Sequence, residues 1–247
     1  MQTVVGMGSS LWMKKGSGLY APSRRRFPIN GLVFYAPLWH PELSGSPIIS
    51  KDLNAHSCTV VGAPWGSQGR IFAAGDDYID CGTGASLNLV QEFSIEVWFK
   101  YDATGSAEMI ITKANDSSYP YFAWQLIKTN AEKIFLRGSN GVDAATLILT
   151  SDTALTADTF YHIIATYDKN AGNGIIYRNG VADGSGAISG TIPDNATKHL
   201  VLGVRPKTLP AFDSSLTGTI GEVRIYNRIL TPAEVFHNYQ STKWRYV

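Results

Sequence analysis

The feature that most constrains this chain is a nine-residue segment, Phe93–Tyr101, in which every second side chain is large and apolar and those between them are polar except Trp98. Successive side chains of a β-strand point to opposite faces of the sheet, so this alternation predicts a strand. One face carries large apolar side chains for a core, and the other is expected to be at least partly in solvent. The second face consists of Ser94, Glu96, Trp98 and Lys100.

Short apolar segments bounded by turn residues recur along the chain and predict many further strands. The chain has 24 glycines and only 17% charged residues, which suits short strands joined by many turns. Together these segments predict an all-β fold, a two-sheet antiparallel sandwich formed by one domain. The further predicted strands are Leu32–Leu38, Cys58–Val61, Arg70–Ala73, Tyr78–Cys81, Met109–Lys113, Tyr121–Lys128, Lys133–Arg137, Thr146–Leu149, Phe160–Tyr167, Gly174–Arg178, Leu200–Val204 and Gly218–Tyr226.

Two local signals predict a hairpin and a helix. Asn179-Gly180 is the pair that a type I′ hairpin turn demands, because both central residues need a positive φ. Thr231, Pro232 and Glu234 occupy the N-cap, first and third positions of a helix start. This signal predicts one short C-terminal helix, from Thr231 to about residue 239.

The first 30 residues differ from the rest of the chain. They mix Gly, Ser and Met with basic residues and show neither helical nor strand periodicity, which predicts an extended arm at 1–30 before a folded domain at 31–247. Two interpretations stay open, a flexible tail and an arm that attaches to another subunit. The candidate attachment residues are Lys14, Lys15, Arg24, Arg25 and Arg26.

Charge and hydropathy narrow the classes of partner. The formal net charge is +1, so no global field attracts nucleic acid or an anionic membrane, and one basic triplet is weak evidence for a nucleic-acid contact. No apolar segment reaches the roughly 18 residues of a transmembrane helix. The N-terminus lacks the pattern of a signal peptide. We therefore expect folding in a cytoplasm, without membrane insertion.

The two cysteines, Cys58 and Cys81, are too few for a disulfide scaffold, and their spacing matches no metal or redox motif. Buried free thiols are expected rather than a bridge.

The sequence carries weak signals for catalysis. Glycan-cleaving sites need two carboxylates a few ångströms apart, and the segment Phe93–Tyr101 offers only Glu96. The five histidines show no zinc spacing, and no GxSxG elbow is present. The chain is therefore expected not to be an enzyme.

The outward row of the alternating strand is the candidate ligand-binding face. A flat indole can stack on a sugar while charged neighbours bond its hydroxyls. The alternative is that an N-terminal arm or a loop covers Trp98, because tryptophan favours burial. The candidate ligand-binding residues are Glu96, Trp98, Lys100, His162, Glu222 and Arg224.

Acidic loop residues are candidates for a metal site. If calcium binds, Asp76, Asp77 and Asp116 are the expected ligands. Aspartates are also common turn formers, so a structural role in turns is the competing interpretation.

An ordered set of segments resembles the laminin-G-like and pentraxin-like jelly rolls of the concanavalin A-like lectin/glucanase superfamily. The resemblance spans roughly residues 31–239 and implies a two-sheet jelly roll whose members mostly recognise glycans or proteins, often with calcium. The segments that carry it are Phe72–Ile79, Phe93–Lys100, Ile110–Lys113, Tyr161–Asp168, Tyr177–Gly180 and Gly218–Leu230.

One position departs from this pattern. Many relatives have an Asp directly after the residue that corresponds to Ile220, and its carboxylate helps to hold calcium. This chain has Gly221 there, and the neighbouring Glu222 faces the other way along a strand. The loss of a carboxylate weakens the calcium site that the resemblance implies, so no cofactor is expected to be required.

The combined expectation is a non-catalytic recognition or structural module displayed on a virus or phage particle, or outside the cell, after cytoplasmic folding. Its expected partners are other coat subunits, a surface glycan, or both. The edge strands of a sandwich also allow a homo-oligomer. The competing classes are a secreted calcium-dependent lectin and a glycan-processing enzyme.

Overall fold

The computed structural model describes residues 27–73, 75–114, 122–139, 147–188, 190–206 and 212–247. It confirms an all-β sandwich with one α-helix, α1 (Pro232–Thr242). The strands are β1 (Leu32–Ala36), β2 (Ile48–Ile49), β3 (Ser57–Val61), β4 (Trp65–Gly66), β5 (Gly69–Phe72), β6 (Tyr78–Asp80), β7 (Glu92–Tyr101), β8 (Glu108–Ala114), β9 (Phe122–Lys128), β10 (Ile134–Gly138), β11 (Leu147–Thr150), β12 (Tyr161–Asp168), β13 (Asn173–Arg178), β14 (Val181–Ala187), β15 (His199–Leu202), β16 (Arg205–Pro206), β17 (Phe212–Asp213) and β18 (Gly218–Tyr226).

The strands form two eight-stranded antiparallel sheets. The first sheet has the order β14-β13-β12-β7-β18-β5-β4, and β1 also pairs with β18. The second sheet has the order β11-β10-β9-β8-β15-β6-β3-β2, and β16 pairs with β17 separately. Neighbouring strands are often far apart in sequence, as with β7 and β18, so the sandwich closes through long-range pairing.

The main hydrophobic core lies between the two sheets. The inward face of β7 supplies Phe93, Ile95 and Val97, all fully buried, as the alternation predicts. The Phe93 ring lies 5.0 Å from the Tyr167 ring on the same sheet and 5.6 Å from Trp124 on β9 of the second sheet. The apolar face of the alternating strand therefore forms part of the core.

The two local signals are confirmed. Asn179 and Gly180 have φ values of 53° and 83°, which are the positive values of a type I′ turn between β13 and β14. Thr231 is the N-cap of α1, and a complete capping box joins it to Glu234. The helix continues a turn beyond the predicted end, to Thr242.

The cysteines are free thiols, and both are buried, as the sequence predicts. Burial in the core, together with the neighbouring Cys58, raises the pKa of the Cys81 thiol well above its ordinary value, so this group stays protonated at neutral pH.

The predicted attachment residues Lys14, Lys15, Arg24, Arg25 and Arg26 lie outside the described residues. Phe27, within the predicted arm, contacts the folded part: its ring lies 4.9 Å from the Tyr35 ring. Among the described helices, none has the length and apolar character to cross a membrane.

Candidate functional site: an arginine between two indoles above a buried charged layer

The strand register brings the predicted ligand-binding residues together on the outward face of the first sheet. His162 lies opposite Trp98 in the pairing of β12 with β7. Arg224 lies opposite Glu96, and Glu222 opposite Trp98, in the pairing of β18 with β7. The proximity of these residues, inferred from the alternation, is therefore present in the structure.

Their predicted exposure is wrong. Glu96, Trp98, His162, Glu222 and Arg224 are each at most 3% exposed, so they do not form an open ligand-binding face. Residues of α1 and the C-terminal turn, together with Trp39, pack over this side of the sheet. Alternation identifies the face that points away from the core, but a distant segment of the chain can still cover that face.

Lys100, the sixth candidate, lies at the end of the row and differs from the others. Its side chain is half-buried, and its Nζ lies 3.1 Å from Asp102 and 3.2 Å from Asp158. The charge of Lys100 is therefore paired with two carboxylates at the rim of the sheet.

The covered residues form a buried charged layer, made up of Glu96, His162, Glu222, Arg224 and Asn238. The Arg224 guanidinium donates to the carboxylates of Glu96 and Glu222. Glu96 Oε2 also accepts a hydrogen bond from Asn238 Nδ2 at 2.7 Å, and His162 Nε2 lies 2.9 Å from Glu96 Oε1. One cation thus holds two carboxylates in a region without solvent.

The pKa values in this layer follow from that pairing. Burial alone raises the pKa of Glu96, but the Arg224 charge and the contacts with His162 and Asn238 outweigh burial and lower it. Burial likewise opposes the charged form of Arg224, but Glu222 and Glu96 raise its pKa well above the ordinary value. Both groups are therefore ionised at neutral pH.

Trp98 is covered by the C-terminal segment. Its Nε1 donates to Thr242 Oγ1 at 2.8 Å, and its ring stacks on Tyr246 and Tyr239 at 4.5 and 5.9 Å between centroids. The Trp98 indole is therefore the surface against which the C-terminal segment packs.

Gly221 leaves space for the Tyr246 ring, which packs against Trp98. A Cβ at this position would lie 2.5 Å from the Tyr246 ring, which is closer than real contacts allow. Gly221 also falls at the β-bulge between Ile220 and Glu222 on β18. An aspartate here would overlap the Tyr246 ring, so position 221 cannot supply the calcium ligand that the resemblance implies.

The acidic loop residues are placed differently from one another. Asp77 is buried, and its Oδ2 accepts a hydrogen bond from the Ala73 backbone N–H at 2.7 Å, which fits a turn-forming role. Asp76 is exposed, and Asp116 lies outside the described residues. Within the part of the chain that the structure describes, no group of three His, Cys, Asp or Glu residues is arranged to hold a metal ion.

The accessible cluster on this side of the molecule is one that the sequence reasoning did not identify. The Arg245 guanidinium lies 3.3 Å from the centroid of the Trp39 ring and 4.3 Å from that of Trp244. Trp244 is 60% exposed, whereas Trp39 and Arg245 are half-buried. We call these three residues the indole–guanidinium stack.

The buried charged layer positions this stack. Trp39 Nε1 donates to Glu222 Oε2 at 3.0 Å, so the carboxylate held by Arg224 also fixes the first indole. Tyr246 stacks on Trp98 and thereby holds the chain next to Arg245. Gln68 Nε2 donates to the Arg245 carbonyl at 3.4 Å. The stack is therefore tied at Trp39 to the buried charged layer and at Arg245 to Gln68.

A sequence signal for the stack existed, because Lys243-Trp244-Arg245-Tyr246 alternates basic and aromatic side chains. Trp39 gave no such signal. It lies just after β1, and only the fold brings it to the C-terminal segment.

The two-sheet jelly roll, the covering helix and the aromatic surface define a lectin-like β-sandwich domain. Residues 73–236 match the Laminin_G_3 family of the concanavalin A-like lectin/glucanases superfamily, and the chain belongs to that family. A comparison with curated protein sequences finds no match.

Solved structures with the same fold include toxin binding domains and a sialidase. The botulinum neurotoxin serotype D ligand binding domain, in complex with N-acetylneuraminic acid, has a TM-score of 0.66 at 13% identity and covers 87% of this chain and 52% of its own. The botulinum neurotoxin serotype G binding domain has a TM-score of 0.63 at 16% identity, covering 85% of this chain and 50% of its own. Trypanosoma rangeli sialidase has a TM-score of 0.61 at 14% identity, covering 87% and 33%. The chain spans a third to a half of the length of these proteins.

Proposed function

We propose that this protein is a non-catalytic module that recognises saccharides through the indole–guanidinium stack. The observation that carries this proposal is the pair of indoles around Arg245, one of them largely exposed, on a surface fixed from below. The proposed binding site therefore lies on the surface above the buried row and not in the row itself.

The chemistry of the stack suits a sugar. The exposed face of Trp244 can pack against the apolar face of a pyranose ring, while the N–H groups of Arg245 donate to hydroxyl oxygens. Tryptophan and arginine are the residues most often dominant in recognition surfaces, because they combine a large contact area with few rotatable bonds or a planar donor set. A preformed arrangement also reduces the entropy lost on binding.

The structural neighbours support a saccharide as the ligand class. One is a toxin binding domain in complex with N-acetylneuraminic acid, and another is a sialidase. Their identity to this chain is below 17%, and the shared fold covers a third to a half of each. They favour carbohydrate as the first class of ligand to test, whereas the placement of the site rests on the geometry of this chain alone.

The state of the carboxylates supports the non-catalytic part of the proposal. A glycosidase needs one carboxylic acid with a raised pKa and a second carboxylate, both facing the substrate. Glu96 and Glu222 both bond to Arg224 under α1, and the pKa of Glu96 is lowered. These are properties of structural carboxylates. Assays for release of sugar from sialylated, neutral and sulfated oligosaccharides test this, and turnover abolished by Glu96→Gln would contradict it.

We further propose that the module is displayed on a virus or phage particle, where the basic residues near the N-terminus attach it to other subunits. The test is the mass of the native assembly, by light scattering, for the full chain and for a chain without residues 1–26, which leaves Phe27 in place. An assembly that becomes monomeric without these residues supports attachment. Identical masses count against it.

The main experiment is a glycan array probed with the full chain and with Trp244→Ala. The matched control is Phe236→Ala, because Phe236 is a second exposed aromatic residue, on α1 and outside the stack. We expect Trp244→Ala to lose the array signal and Phe236→Ala to keep it, with or without a calcium chelator. Equal loss in both variants, or no signal for the full chain, would contradict the proposal.

A further inference from the structure

We infer that the saccharide bound at the indole–guanidinium stack carries an acidic group, a carboxylate or a sulfate, which Arg245 receives in the plane of its guanidinium. This inference rests on the proposed function and specifies the ligand class of the same site. It follows from the lack of a carboxylate partner for Arg245 among the described residues.

The central carbon of the Arg245 guanidinium lies within cation–π distance of two indoles, 3.3 Å from the Trp39 centroid and 4.3 Å from the Trp244 centroid. Cation–π stacking uses the faces of the group, whereas all five N–H donors point outward within its plane. In the described residues, no side chain accepts a hydrogen bond from the Arg245 guanidinium, and no carboxylate lies within ion-pair distance. A guanidinium without an acceptor among the described side chains has a planar donor fork to offer, and a carboxylate or sulfate matches this fork with two parallel bonds.

The carboxylate that contacts the stack, that of Glu222, already has two hydrogen-bond donors. Glu222 reaches the stack through Trp39, but its Oε1 accepts from Arg224 and its Oε2 from the Trp39 indole. Its side chain is 3% exposed, so it cannot turn to meet Arg245. The carboxylate of Glu222 is thus already paired with Arg224 in the buried charged layer.

A second cation strengthens the local charge. Lys243 Nζ lies 5.5 Å from the centroid of the Tyr239 ring, and no carboxylate in the described residues pairs with it. Residues 235–247 contain Lys243 and Arg245 and no Asp or Glu side chain, which gives this segment an excess of basic side chains on a protein with a net charge of only +1. Such an excess favours an anion over a neutral sugar.

The identity of the cation also points to this ligand. A lysine presents a point charge on a flexible stem, whereas a guanidinium fixed between two rings is aligned before the ligand arrives. A neutral hydroxyl gains little from that alignment. An acidic group gains two charge-assisted hydrogen bonds from it.

The experiment measures affinity by calorimetry for lactose, 3′-sialyllactose and 3′-sulfolactose, with the full chain, Trp244→Ala and three further variants. Arg245→Gln removes the charge and the donor fork, Arg245→Lys keeps the charge alone, and Lys133→Gln removes one positive charge from the turn before β10 in the second sheet. We expect the full chain to bind one or both acidic sugars at least about tenfold more tightly than lactose.

In Arg245→Gln this preference should disappear, so that the acidic sugars bind this variant no more tightly than lactose does. Arg245→Lys should retain part of the preference, and Lys133→Gln all of it. The comparison of the two acidic sugars distinguishes a carboxylate from a sulfate, and preference for either one supports the inference.

Two results would overturn it. If lactose and the acidic sugars bind equally well and Trp244→Ala removes both, the saccharide site stands and its acidic preference does not. If the full chain binds no saccharide, the proposed function fails and the inference fails with it. Thermal melting of each variant confirms that a change in affinity is not a loss of fold.

Discussion

The two faces of β7 are both buried, yet they are stabilised by different chemistry. The inward face packs Phe93, Ile95 and Val97 into the core between the sheets, where removal of apolar area from water stabilises the fold without strict geometry. The outward face holds Glu96 and Trp98 under α1, where each polar atom needs a particular partner.

This difference determines how each face responds to substitution. An apolar core loses stability gradually as methylene groups are removed. A buried charged layer fails abruptly when one partner disappears, because an uncompensated charge stays in a region of low dielectric. The two faces of one strand therefore provide a test within a single molecule.

The largest effect is expected at Arg224. Arg224→Met leaves Glu96 and Glu222 buried without their cation, which should cost about 3–5 kcal/mol of the free energy of unfolding. Ile95→Val on the inward face should cost only about 0.5–1.5 kcal/mol. Urea titration measures both. Adding Glu96→Gln and Glu222→Gln to Arg224→Met should restore much of the loss, and an Arg224→Met protein as stable as Ile95→Val would remove the distinction between the faces.

A smaller effect is expected at Gly221, where the outward face admits the Tyr246 ring. Gly221→Ala should cost about 1–3 kcal/mol, because its Cβ overlaps the buried ring. In a Tyr246→Ala background the same substitution should cost little, whereas in Tyr246→Phe, which keeps the ring, the penalty should persist. A double-mutant cycle measures the coupling, and additive effects would show that the ring and the glycine do not interact.

The start of α1 is expected to make stability depend on pH. Arg228 and the Thr231 cap lower the pKa of Glu234 from 4.5 to about 2, with burial acting in the opposite direction. A lowered carboxyl pKa contributes stability that is present above pH 4.5 and is lost as the pH falls toward 2. Glu234→Gln should therefore cost about 1–2 kcal/mol at pH 7. The difference from the parent should shrink below pH 4.5, and a difference that is constant down to pH 2 would contradict this.

The smallest effect is expected at an exposed pair. Lys51 Nζ lies 2.9 Å from Glu42 Oε2, and this contact lowers the pKa of Glu42, but solvent screens both charges. Lys51→Gln should leave the midpoint of urea unfolding unchanged within error. A clear drop in this midpoint would mean that the exposed pair stabilises the fold despite screening by solvent.

The sequence was sufficient to predict the parts of the fold that depend on neighbouring residues. The type I′ turn at Asn179-Gly180 and the capping box at Thr231 need only a few adjacent side chains, and both are present. The alternation in β7 depends on the strand alone, so its inward face was also predicted correctly.

The candidate site could be predicted only in part, because it depends on contacts between distant segments. The grouping of Glu96 with Arg224 followed from pairing outward residues of different strands. Their covering did not, since Asn238 lies 142 residues from Glu96 and Thr242 lies 144 from Trp98. Trp39 and Arg245 in the stack are even further apart along the chain, and local patterns do not encode such contacts.

The guanidinium of Arg224 also limits how the sequence of this face can evolve. A neutral residue at 224 would strand two carboxylates, and a neutral residue at 96 or 222 would change the balance around the remaining pair. The three positions can therefore diverge only together, through rare intermediates that tolerate a buried imbalance of charge. Because Glu222 also holds Trp39, any lineage that replaces this trio should show a change in the surface stack as well.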